Sequence, residues 1–237
     1  MFHVNRWRPG PWRPAPVTGV LLAANTAVFL LQAAQGPVGQ EWIVRYGLIP
    51  AVLMQGERFS IPGSPTPYAL TLLSSSFLHG NLGHLVVNLA FIAVLGSLVE
   101  RAVGAWRVAV LWTAAVVLGG VFHVLMNSGS IVPTVGASAG VAGLIGVVTV
   151  GGWGGLIAGG LWLSVQVAGA MARAPQLLDP EVAWQAHLAG YTVGVVGGLL
   201  VRWEIRRRRR AARRVGAEPR APGTAASRAG GQGGRRG

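Results

Sequence analysis

Lysine and cysteine are both absent from this 237-residue chain, and charge of either sign is scarce. Without cysteine there can be no disulfide and no thiolate metal ligand. Charged residues make up 11% of the sequence, against about 25% in soluble globular domains, which excludes an ordinary water-facing surface. Acidic residues number seven and avoid the interiors of the long apolar runs. What fills the chain instead is apolar: 51% of residues are hydrophobic and the mean hydropathy is +0.49. This is the composition of a multi-pass membrane protein. All 20 basic residues are arginine and twelve of them lie from Arg202 onward, so the pI of 11.9 describes a tail rather than the fold.

A crossing helix needs about 20 mostly apolar residues. Candidates are Val17 to Ala34, His79 to Val99 (ending at Glu100-Arg101), Ala105 to Met126 and Trp184 to Val201. No charged residue occurs from Gly136 to Ala172. As one helix this stretch would be about 55 Å long, well beyond the ~30 Å hydrocarbon core. Gly151-Gly152-Trp153-Gly154-Gly155 is the natural break, which yields two short spans and six in all. The first run follows a basic, Pro- and Trp-rich segment, Met1 to Pro16, and lacks a convincing signal-peptidase site. It is therefore read as a retained span. Between the first two spans, Gln35 to Ser76 is a polar interval with five prolines from Pro37 to Pro67.

Charge placement orients these spans. With the N-terminus inside, the inner segments hold Arg6, Arg8, Arg13, Arg101, Arg107 and the C-terminal arginines. The outer ones hold Arg45, Arg58 and Arg173 against Glu41, Glu57, Asp179 and Glu181, a net charge of −1. This is the positive-inside asymmetry, and it requires an even number of spans. The fold predicted is an all-α membrane protein with six transmembrane helices and both termini cytoplasmic, placed in a bacterial plasma membrane. Residues 1–16 form a basic tail, 17–203 the six-span domain, and 204–237 an Arg-rich then Gly/Ala-rich tail. Arg206 to Arg210, with Arg202, Arg213 and Arg214, serve as a topology anchor and as a site for anionic lipid. No aromatic residues interleave that run to suggest nucleic acid as a partner. From Val215 the tail lacks apolar periodicity and is predicted to be disordered.

Polar groups inside such spans are costly and mark functional interiors. Ser138 opens the fourth span within Gly136-Ala137-Ser138-Ala139-Gly140, and His187 opens the sixth within Ala186-His187-Leu188-Ala189-Gly190. His79 and His84 start the second span, and Asn88 shares a helix face with His84 at i, i+4. The topology puts all of them in one layer near the outer surface. The chemistry suggested is acyl transfer, with Ser138 as nucleophile and neutral His187 as its base. Oxyanion donors would be His84, Asn88 and the Ser138 backbone N–H. Gly190 and Gly194 make a G-x-x-x-G face suited to close helix packing. His123 has no partner pattern and is read as structural. No cofactor or metal is implied. Rival readings are a soluble hydrolase elbow, since Gly136 to Gly140 also satisfies G-x-S-x-G with Asp179 as the acid, and a small channel conducting protons through a histidine.

The conjunction resembles the rhomboid family of intramembrane serine proteases. His79-Gly-Asn-Leu-Gly-His84-Leu-Val-Val-Asn88 is similar to the family's H-x-x-x-x-H-x-x-x-N element, Gly136-Ala-Ser138 to its G-x-S motif, and Ala186-His187 with Gly190 to its A-H-x-x-G element. The resemblance implies a six-helix bundle with a Ser138–His187 dyad, no third carboxylate, an oxyanion site at His84 and Asn88, and His79 holding the first outer loop. It also implies transmembrane or juxtamembrane segments of membrane proteins as substrates. The loop Arg173 to Glu181 is positioned to cap the layer, and this loop and the fifth span are predicted to control entry. The alternative within the family is a weak or inactive relative that binds transmembrane helices. Three positions depart from the pattern. Ala139 stands where glycine is common. Ala142 replaces an aromatic that stacks under the histidine, which implies slower turnover or a different orienting group. Leu70-Thr71 replaces a Trp-Arg pair in the first outer loop.

Overall fold

A computed structural model of the chain describes residues 15–56, 61–65, 67–172 and 183–216. Among these residues the regular structure is helical, apart from an isolated antiparallel bridge between Leu48 and Thr134. The helices are α1 (Pro16–Ala34), α2 (Pro37–Tyr46), α3 (Pro50–Gln55), α4 (Thr71–Ser74), α5 (Leu82–Phe91), α6 (Ser97–Val103), α7 (Ala105–Met126), α8 (Ser138–Thr149), α9 (Trp153–Ala172) and α10 (Trp184–Gly216). A π-helical turn, Ile92–Gly96, joins α5 to α6. Four helical stretches are long and apolar enough to cross a membrane: α1, Leu82–Val103, α7 and the Trp184–Arg208 part of α10. The apolar helices Ser138–Thr149 and Trp153–Ala168 are shorter.

Local chemistry explains the boundaries. Pro16, Pro37 and Pro50 each sit in the first turn of a helix, where a missing N–H is harmless and the fixed φ is already helical. The polar interval after α1 is thereby a string of short helices rather than open loop. The second apolar helix begins at Leu82, three residues later than the hydropathy alone suggests. Asn81 is the reason: its side chain accepts the His84 backbone N–H at 2.8 Å and caps α5, leaving His79 in the preceding loop. At the other end, α10 continues to Gly216, well past Val201. From Leu199 to Val215 the chain has no glycine or proline, and arginine is a good helix former. Within this extension Arg208 pairs with Glu204 at 2.6 Å and the Arg207 guanidinium lies over the Trp203 ring. The tail expected to be disordered lies, from residue 217, outside the described residues.

Two polar clasps fix α1 antiparallel to the Leu82–Val103 stretch. At the start of α1 the buried Glu100 carboxylate accepts the backbone N–H groups of Val17 (3.0 Å) and Thr18 (2.8 Å) and the Thr18 hydroxyl (2.7 Å). A carboxylate there satisfies orphan amides and complements the helix dipole. At the far end, the buried Gln32 amide donates to the His79 carbonyl at 3.1 Å.

The centre of the bundle is α8, buried continuously from Ala139 to Val147. Its neighbours approach closely because the contact residues are small. A Cβ on Gly190 of α10 would lie 3.1 Å from the Ala139 carbonyl carbon, and one on Gly194 would lie 2.7 Å from that of Gly143. On the other side, a Cβ on Gly155 of α9 would fall 2.9 Å from the Val148 carbonyl carbon, and one on Gly159 would strike the Thr149 side chain. Gly140 makes room for the Trp112 indole of α7.

Candidate active site

Ser138 is the first residue of α8, and the loop that leads into it is stitched to distant segments. Leu48 and Thr134 exchange backbone hydrogen bonds (3.0 and 2.8 Å), the Ala51 N–H donates to Ser130 O (2.9 Å), and the Gly136 N–H donates to Ser75 O (2.9 Å). Gly136 itself has φ +120°, a conformation L side chains rarely adopt. A Cβ there would also sit 2.6 Å from His84 Cε1 and 2.7 Å from Nε2. Glycine is thus needed twice at one position, and it brings the His84 imidazole against the approach to Ser138.

His187 lies in the first turn of α10 and reaches back to α8. Ser138 Oγ and His187 Nε2 are hydrogen-bonded at 2.7 Å. The other ring nitrogen, Nδ1, faces Gln166 Oε1 of α9 at 3.0 Å. One turn earlier on α9, Trp162 lies with its ring centre 6.4 Å from that of His187, and it stacks on Tyr191 at 5.4 Å and 24°. The ring support missing at Ala142 is therefore supplied from α9. Ala142 is fully buried and faces no such task. The methyl of Ala139, the other departure on α8, is accommodated by Gly119 of α7, whose own Cβ would lie 3.2 Å from it.

Ser138 and His187 open onto a cavity of about 520 Å³ that Asn81, His84, Asn88, Trp162 and Gln166 also line. One N–H of the Asn88 amide is engaged by the His84 carbonyl at 2.9 Å, and the second remains for the cavity. His79 does not reach the cavity wall. It is buried in the loop before α5, edge-on to His84 with ring centres 5.0 Å apart. Burial, with the His84 ring beside it, pushes the His79 imidazole down to about 4, so it is a neutral prop behind His84 at neutral pH. Gly190 takes its place in the α8–α10 contact.

Two further groups were not apparent from the sequence. His123, which carried no partner pattern, joins three segments: Nε2 lies 3.0 Å from Thr134 Oγ1, and Nδ1 lies 3.3 Å from both Gln185 Oε1 and Asn127 Nδ2. It ties α7 to the loop before Ser138 and to the residue two before His187. Only Asn127, at i+4, was a readable hint. In the segment between α1 and α5, the Tyr68 hydroxyl donates to Gly47 O (3.2 Å) and accepts from the Ile49 N–H (3.3 Å), and Ser74 Oγ donates to Tyr46 O (2.7 Å). These bonds anchor the loop in which Leu70-Thr71 replaces the Trp-Arg pair. Burial raises the Tyr68 phenol above its ordinary value, which keeps it a donor.

The elbow reading fails on architecture, because a strand must precede the serine and the described residues before Ser138 form a loop. Asp179 and the loop Arg173 to Glu181 lie outside the described residues. Among the described residues, no group of three His, Asp or Glu side chains is placed to hold a metal ion. The arrangement can deprotonate a hydroxyl next to a roomy cavity that is also lined by the polar side chains of His84 and Asn88. The family model for the Rhomboid domain matches residues 67–204, more than half of the chain and every residue of this constellation. No curated protein matches the chain.

Proposed function

Since the chain belongs to the rhomboid family, whose members are in general intramembrane serine proteases, we propose that it is an intramembrane serine endopeptidase. Its substrates are transmembrane or juxtamembrane segments of membrane proteins. The observation that carries this reading is the 2.7 Å hydrogen bond from Ser138 Oγ to His187 Nε2. His187 takes the hydroxyl proton as Ser138 attacks the peptide carbonyl, then returns it to the leaving amine. The tetrahedral oxyanion is met by the His84 side chain, the free N–H of Asn88 and the Ser138 backbone N–H at the positive end of α8. Water then hydrolyses the acyl-enzyme with His187 as base.

The membrane arrangement proposed is six crossings, with α8 and α9 as the short fourth and fifth. The Glu100 clasp at one level and the Gln32–His79 clasp at the other support an antiparallel first pair. The charge asymmetry supports a cytoplasmic side for the Glu100 level and both termini, with the Ser138 level near the outer face. The Arg-rich segment after Val201 meets anionic lipid.

Purified protein should label with a fluorophosphonate and cleave a single-span test substrate. Ser138→Ala should lose both signals while its thermal unfolding is unchanged. Cleavage surviving in that variant would place the nucleophile elsewhere, and a wild-type protein with neither signal would mark an inactive family member.

A further inference from the structure

We infer that Gln166 is a positioning residue for His187, standing where soluble serine hydrolases place a carboxylate. The inference rests on the protease reading above. A neutral imidazole has two tautomers, and only the one protonated at Nδ1 leaves the Nε2 lone pair free to take the Ser138 proton. The Gln166 carbonyl oxygen, 3.0 Å from Nδ1, accepts that proton's hydrogen bond and selects the competent tautomer. The remaining ring nitrogen is then aimed at Ser138 Oγ. Among the described residues no carboxylate lines the cavity, so there this orientation falls to a neutral amide.

Gln166 is well supported for this task. Trp162, one turn before it on the same helix, lies against the His187 ring and is itself stacked on Tyr191. The lower half of α9 is seated on α8 through Gly155 and Gly159. The helix that carries the nucleophile therefore also registers the helix that orients the base.

The test compares Gln166→Leu, which keeps the volume and removes the acceptor, with Gln166→Glu, which restores an acceptor oxygen at the same reach. Gln166→Leu should lower kcat by roughly 10- to 100-fold with KM unchanged, less than the ~10⁴ lost when a triad carboxylate is made ineffective. The fluorophosphonate labelling rate should fall in parallel. Gln166→Glu should recover most of both. Wild-type kcat in Gln166→Leu would overturn the inference, as would equal losses in the Leu and Glu variants, which indicate packing alone. If Gln166→Leu lowers the unfolding temperature, Gln166→Met supplies the same comparison with a flexible apolar side chain. Ser138→Ala run alongside separates the two readings: cleavage in that variant sinks the protease assignment, whereas a dead Ser138→Ala with an unaffected Gln166→Leu sinks only the role of Gln166.

Discussion

Replacing Gly194 by alanine tests whether the approach of α10 to α8 sets the distance between base and nucleophile. The added methyl would stand 2.7 Å from the carbonyl carbon and 2.9 Å from the Cα of Gly143, with the carbonyl oxygen nearer still. Carbon atoms settle at about 3.5–4.0 Å, and the opposing atoms are backbone with no rotamer to change. The helices must part by close to 1 Å at that level. His187 lies seven residues earlier on the same helix, about 10 Å along its axis, so the displacement is carried to the site. The 2.7 Å Ser138–His187 bond then lengthens toward ~3.5 Å, where direct hydrogen bonding is lost. A misplacement of this size costs on the order of 10²-fold in rate, and overpacking destabilises by about 1–3 kcal/mol. The assay is kcat on a single-span substrate together with thermal unfolding in detergent. Gly160→Ala is the control, because a Cβ there meets nothing within 4 Å, and it should be neutral or slightly stabilising. Gly194→Ala retaining activity within threefold of wild type would refute the idea that this contact sets the dyad.

Glu100→Ala leaves two α1 amides and a hydroxyl without their acceptor and should destabilise by about 3 kcal/mol, while Glu100→Gln, which keeps one acceptor oxygen, should lose about half as much; equilibrium unfolding followed by tryptophan fluorescence reads both. His79 has an ordinary value of 6.5 when unfolded and about 4 when folded, so its contribution is full above pH 6.5 and declines as the pH falls toward 4, because the unfolded chain binds the proton first. The decline amounts to at most about 3 kcal/mol, and the pH slope of unfolding between 6.5 and 4 should flatten in His79→Phe.

The parts of the site that were legible in the sequence are those whose chemistry is local. Ser138 and His187 announced themselves as isolated polar residues heading apolar runs, His84 and Asn88 as an i, i+4 pair, and Gly190 and Gly194 as small residues at one-turn spacing. The break before Trp153 followed from the length of an uncharged run. What orients His187 was hidden because Gln166 lies 21 residues away on another helix, and one glutamine in an apolar stretch carries no sign of which histidine it meets. Hydropathy also misplaced the start of α5. That boundary is decided by a single capping bond from Asn81, and an average over twenty residues cannot register it. The partners of His123 were hidden as that of His187 was, since two of the three, Thr134 and Gln185, come from outside its own helix.

The π-helical turn Ile92–Gly96 makes the second long helix a two-phase object. Above it, α5 turns His84 and Asn88 toward the cavity; below it, α6 turns Glu100 toward the amides of α1. A π turn holds one residue more than an α turn, so the two halves are offset by a single residue, about 100° of rotation. Deleting one residue between 92 and 96 would restore a regular helix and bring the halves into phase, and one end would then face away from its partner. Apolar substitutions at the exposed Val94 are tolerable in this turn, but its residue count is not adjustable. The constraint is one of parity, and insertion–deletion scanning would register it where alanine scanning would pass over it.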